Sequence, residues 1–146
     1  MLTLDPSSVV QVFRERDLVA ILEVISPRNK DRESARAITR DRIIGYLMLG
    51  IQVAFVDVDA KPYEFSLADF IAQGLQLAQS PLPSPHAMAY RVGSPFNNQG
   101  RSLAMRRTPF TIGQPLPATG LPLNRDTTVP VELEKTYTKV TESYLF

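Results

Sequence analysis

The stretch Leu18–Lys30, LVAILEVISPRNK, constrains this chain more than any other. Between Leu18 and Ile25 every residue is apolar except Glu23. So short a run, rich in Val, Ile and Leu, reads as a buried inner strand. An ionised carboxylate inside such a strand costs several kcal/mol, of order ~3 or more, unless it is paired, hydrogen-bonded or bound to a cation. Strand alternation places Glu23 on the face of Val19, Ile21 and Ile25. Ser26-Pro27 ends the strand, and Arg28 and Lys30 bring cations just beyond it.

The flanking sequence builds outward from this strand. Val9–Phe13 is a second strand candidate, and the polar Arg14–Asp17 interruption predicts a hairpin between the two. Asp31 is a candidate N-cap for a helix running to Leu49, with Gly50 as its C′ residue. The helix is charged in its first half (Arg32, Arg36, Arg40 and Arg42 against Glu33 and Asp41) and apolar in its second. Ile38, Arg42, Gly45 and Leu49 share one stripe, so Arg42 is expected to point inward with them. Ile51–Val58 is the next apolar strand. A strand–helix–strand sequence closed by a tight glycine link predicts a parallel βαβ unit. Asp57 and Asp59 then fall at the carboxyl end of a strand, where open α/β sheets place ligands.

Farther along, Ala60–Tyr63 reads as a turn, and Ser66 with Asp69 resembles a capping box for a helix to about Gln79. Ser80–Pro85 is a loop, and His86 reads as part of it. Ala87–Val92 and Ser102–Phe110 are strand candidates flanking a Gly93–Gly100 loop. Arg106 and Arg107 read as a solvated pair. Ile112–Val129 carries three prolines and is expected to wrap the surface in extended form. Pro130 suits the N1 position of a last helix, whose Leu133, Tyr137, Val140 and Tyr144 form a docking stripe. The fold class that emerges is α/β: a mixed sheet with flanking helices and a proline-rich C-terminal wrap.

Composition narrows the chemistry. With no cysteine there is no thiol nucleophile and no thiolate metal site, and a lone histidine argues against a histidine-based metal cluster or triad. A net charge of +1 provides no global field for nucleic acid or membrane. No membrane-length apolar run or signal peptide is apparent, so the default compartment is the cytoplasm, without a membrane partner.

Several of these stretches resemble a bacterial family of uncharacterised proteins allied to the Uma-type putative restriction endonucleases, whose wider group has the PD-(D/E)xK nuclease-like fold. The residues that carry the resemblance are Ile21–Lys30, similar to "IEVLSPxNK"; Ile51–Asp57, similar to "GVHLVEIDL"; Tyr90-Arg91-Val92; and Pro115–Pro117, Leu121–Leu123, Val129–Leu133 and Tyr137, similar to the family's "LPTIPLPL…DVPLDLQ…Y" ending. The resemblance implies a restriction-endonuclease-like domain over residues 1–146, compatible with the C-terminal part of a longer architecture. It also implies catalytic Glu23, Lys30 and Asp57, with Glu23 and Asp57 holding Mg²⁺. The chain departs from the family pattern in two places. The Pro-Asp half of the motif is missing, with Asp17 in the predicted turn its nearest substitute. Arg42 stands where related sequences carry a helical lysine, and arginine does not shed a proton to activate water.

Two function classes follow. One is a nuclease-like module of unknown function that is catalytically inactive and serves binding or structure, with Glu23 in a structural ion pair with Arg42 or with Lys30. The other is a Mg²⁺-dependent phosphodiesterase acting on nucleic acid. Both leave a homo-oligomer open. The geometry of Glu23, Lys30, Arg42 and Asp57 separates them.

Overall fold

The computed structural model describes residues 9–58, 65–95, 100–111, 113–116 and 118–135. The predicted hairpin forms from β1 (Val9–Arg14) and β2 (Asp17–Ile25), turning at Glu15 with a left-handed φ of 57°. After a single 3₁₀ turn at Pro27–Asn29, helix α1 (Glu33–Met48) carries the chain to β3 (Gln52–Asp57). Helix α2 (Leu67–Gly74) precedes β4 (His86–Pro95) and β5 (Arg101–Pro109), and β6 (Ala118–Pro122) and β7 (Thr128–Glu132) follow.

Five strands form one mixed sheet in the order β1-β2-β3-β4-β5, in which β2–β3 is the parallel pair and the other neighbours are antiparallel. Both helices cover one face, packing Ile43, Leu47, Leu67 and Ile71 on Ile25, Val53, Phe55, Met88 and Tyr90. On the other face, Leu121 and Leu133 cover Ala20, Leu22, Ala54, Val56, Ala87 and Ala89. All six residues of β3 are consequently buried, which is why its sequence is nearly continuous in apolar residues rather than alternating.

The link from α1 to β3 is set by Gly50, whose φ of +81° an L side chain rarely adopts. Its N–H donates to Leu47 O, and that of Ile51 donates to Tyr46 O, the two bonds of a Schellman ending. At the other end of α1 the cap differs from expectation. Arg32, not Asp31, occupies the N-cap, and no side chain caps it. The Asp31 carboxylate instead accepts from Arg32 Nε. The inward stripe also differs. Thr39, Ile43 and Leu47 are buried, whereas Ile38 and Leu49 are 64% and 74% exposed. Arg42 sits between these faces with its side chain 34% exposed. The apolar end of α1 is thus half solvated, because α2 covers one side of it.

Helix α2 begins as predicted, with Ser66 Oγ accepting from Asp69 N, but ends at Gly74 rather than Gln79. A Cβ at Gly74 would lie 2.8 Å from Ile44 Cδ1, so a glycine allows α1 and α2 to approach there. The next turn breaks at Gln76, with φ of 57°. The Asp69 carboxylate does not return to Ser66. It accepts from Leu82 N at 3.0 Å and pins the proline-rich segment before β4.

β4 is longer than expected at both ends, taking in His86 and continuing through Gly93–Pro95. The proline-rich tail is not a simple wrap. It folds back as the β6–β7 hairpin, whose turn is held by Asn124 Oδ1 accepting from Asp126 N and Thr127 N. Pro130 pairs with Gly120 inside β7 instead of opening a helix. This second sheet has two strands, so the proline withholds a ladder donor on an edge, where that costs little. Helical residues follow at 133–135. Asp59, the Ala60–Tyr63 turn and Tyr137, Val140 and Tyr144 lie outside the described residues.

Candidate functional site

Because β2 and β3 run parallel, their carboxyl ends share one edge of the sheet. The register sets Glu23 beside Phe55 and Ile25 beside Asp57. Phe55 and Ile25 belong to the helix-side core, so Glu23 and Asp57 project from neighbouring strands toward the same helix layer. Both are buried, at 1% and 0% exposure.

Each carboxylate meets a cation of its own. Lys30 follows the 3₁₀ turn, where Ser26 N donates to Asn29 Oδ1 at 2.9 Å and Lys30 N donates to Pro27 O at 3.0 Å. That turn folds the lysine back under the sheet end, and its Nζ lies 2.7 Å from Asp57 Oδ1, with both side chains 0% exposed. Arg36 Nε donates to Lys30 O at 2.7 Å and ties the turn to α1. The second oxygen of Asp57 accepts from Ser84 Oγ at 2.9 Å. Glu23, in turn, is ion-paired with Arg42 of α1. Asp17 lies at the opposite end of β2, across from Arg14 in the hairpin, and joins neither pair.

His86 completes the neighbourhood. It opposes Asp57 across the β3–β4 register and is fully buried, rather than sitting in a loop. Its Nδ1 lies 3.1 Å from Pro83 O, its ring packs edge-on against Phe55, and its Nε2 is buried with no hydrogen-bond partner among the described residues. Desolvation holds His86 below its ordinary value of 6.5, with the Asp57 charge opposing that shift. The sequence alone does not mark Ser84 and His86 as site residues. For His86 a signal existed: His86, Met88 and Tyr90 alternate with three small or polar partners, which places them on one strand face.

Among the described residues the donor set does not fit a Mg²⁺ site in this arrangement. Binding an ion between Glu23 and Asp57 requires both carboxylates to exchange their protein cations for it, and Asp57 also to reorient from Ser84. Among the described residues, no group of three or more His, Asp or Glu side chains is placed to hold a metal. Three clefts on the described surface are lined by other residues. Of the other predicted basic pair, Arg106 is exposed on β5, whereas Arg107 is half-buried and caps the carbonyl of Ser80. No helix among the described residues is long and apolar enough to cross a membrane. Comparison with protein-family models, with curated proteins and with solved structures finds no match in any of the three.

Proposed function

We propose that the chain is a restriction-endonuclease-like domain in which two internal ion pairs have taken the place of a metal site, and that it acts as a binding or structural module rather than as a nuclease. The observation that carries this reading is the closed Lys30–Asp57–Ser84 arrangement, with Lys30 and Asp57 wholly out of solvent. A lysine in that position neutralises the carboxylate and has no path to a phosphodiester. The parallel β2–α1–β3 unit, with acidic residues toward its carboxyl edge, supports the nuclease-like fold.

The competing reading, a Mg²⁺-dependent phosphodiesterase acting on nucleic acid, draws on Glu23 and Asp57 sharing a face of adjacent strands. Thermal denaturation with millimolar Mg²⁺ or Mn²⁺ separates the two, since an ion that binds the native state alone raises the melting temperature by mass action. The module reading expects no metal-specific shift and no cleavage of single- or double-stranded DNA. Metal-dependent cleavage by the wild type that disappears in Glu23→Gln would overturn it.

A further inference from the structure

The sheet has a second end. At the amino-terminal edge of β2 and β3, opposite the Lys30–Asp57 pair, lies a cleft of about 800 Å³ open to solvent. Its floor is built. Buried Gln52 bridges β3 to β4, donating through Nε2 to Val92 O at 2.9 Å and accepting from Val92 N at 2.7 Å. Its walls carry Arg91 from β4, Arg101 from β5 and Arg125 from the β6–β7 turn, and no carboxylate is among the described lining residues.

These arginines are placed by the fold, and among the described residues no carboxylate pairs with them. The ion pairs among the described residues are those of Lys30, Arg32, Arg40, Arg42 and Lys135. Arg101 donates through Nη1 to Gly93 O at 3.1 Å and lies against Gly50, where a Cβ would come within 2.8 Å of Nη1. Arg91 donates to Thr128 Oγ1, while its Nε is buried with no hydrogen-bond partner among the described residues. Three arginines from separate elements thus line one cleft in a chain whose net charge is +1. Their mutual repulsion favours an anion of two or more charges, and the planar fork of arginine matches phosphate oxygens in pairs.

We propose that this cleft binds a small ligand bearing a diphosphate or longer phosphate chain. The volume lies within the range of small-molecule sites, roughly 300–1,000 Å³. No aromatic side chain is among the described lining residues, so these offer phosphate contacts rather than a stacking platform for bases. The proposal is independent of the nuclease-like reading, since it involves neither Glu23 nor Asp57.

Titration calorimetry of the purified chain with pyrophosphate, and separately with a short single-stranded oligonucleotide, tests it. One-site pyrophosphate binding is expected. Arg101→Ala and Arg125→Ala, both at exposed side chains, should each weaken it about tenfold without lowering the melting temperature. Arg28→Ala, at an exposed arginine beside the other end of the sheet, should leave it unchanged. No binding at millimolar pyrophosphate, or equal weakening by Arg28→Ala, would overturn the proposal. So would oligonucleotide binding that Arg101→Ala and Arg125→Ala weaken in the absence of any pyrophosphate binding, which would identify a linear polyanion as the occupant.

Discussion

Two buried carboxylates on adjacent strands of one sheet have been accommodated differently. Asp57 is sealed: its lysine is as inaccessible as it is, and Ser84 engages the second oxygen. Glu23 is equally buried, but its arginine lies on a helix flank with a third of its side chain in water. The contrast follows from how each cation arrives. Lys30 is delivered by a backbone turn that folds beneath the sheet, whereas Arg42 reaches down from a helix whose outer face is solvated. A pair buried on both sides has no water to replace a lost partner, so its integrity matters more than its net contribution to stability. A pair with one solvated member is cheaper to form and cheaper to break.

That contrast predicts an order of effects. The largest is Lys30→Met, which strands a buried charge at Asp57 and should cost about 3–5 kcal/mol in urea denaturation. Adding Asp57→Leu should recover much of the loss, and a double mutant as unstable as the sum of its singles would show that the two side chains are not coupled. Arg42→Ala comes next, at about 2–3 kcal/mol, less than Lys30→Met because water reaches the vacated position. Glu23→Leu combined with Arg42→Leu should lose less than Arg42→Ala alone. If Arg42→Ala proved the more damaging of the two cation removals, the distinction between a sealed and a half-solvated pair would fail. Ser84→Ala removes one hydrogen bond from Asp57 and should cost about 1 kcal/mol.

The smallest effect is a pH dependence. His86 is held below 6.5 by burial, so in the acid range the unfolded chain binds a proton that the folded one resists. Its contribution to stability is therefore complete above 6.5 and declines as the pH falls from 6.5 toward the lower folded-state value. In His86→Phe this part of the slope should disappear. Denaturation midpoints compared between about pH 7 and pH 5 measure it; identical slopes in the two proteins would remove His86 from the account.

How far the sequence could be read depended on whether the deciding contact was local. The β1–β2 hairpin and the Ser66 cap rest on residues close along the chain, the parallel β2–α1–β3 unit rests on the right-handed strand–helix–strand rule, and all three form. Gly50 reads correctly as a helix end because its handedness is a property of one residue. The errors arise where distant chain decides. Helix α2 stops early at its contact with α1, and Asp69 abandons the expected box to hold Leu82. The proline-rich tail pairs with itself as β6–β7, which proline content alone argues against.

The sequence by itself determined that Glu23 had to be compensated, because an isolated charge in an apolar strand is untenable, and that Glu23 and Asp57 would stand near one edge of an α/β sheet. It left two cations, Arg42 and Lys30, open as partners of Glu23, since both lie within reach along the chain. Only the tertiary structure decided that Lys30 is folded against Asp57 while Arg42 takes Glu23, and that Ser84 and His86 from the far side of α2 close the neighbourhood. The physical reason is that ion pairing depends on separations of a few ångströms, and these are set by how a helix and a turn pack on a sheet, which no spacing along the chain encodes.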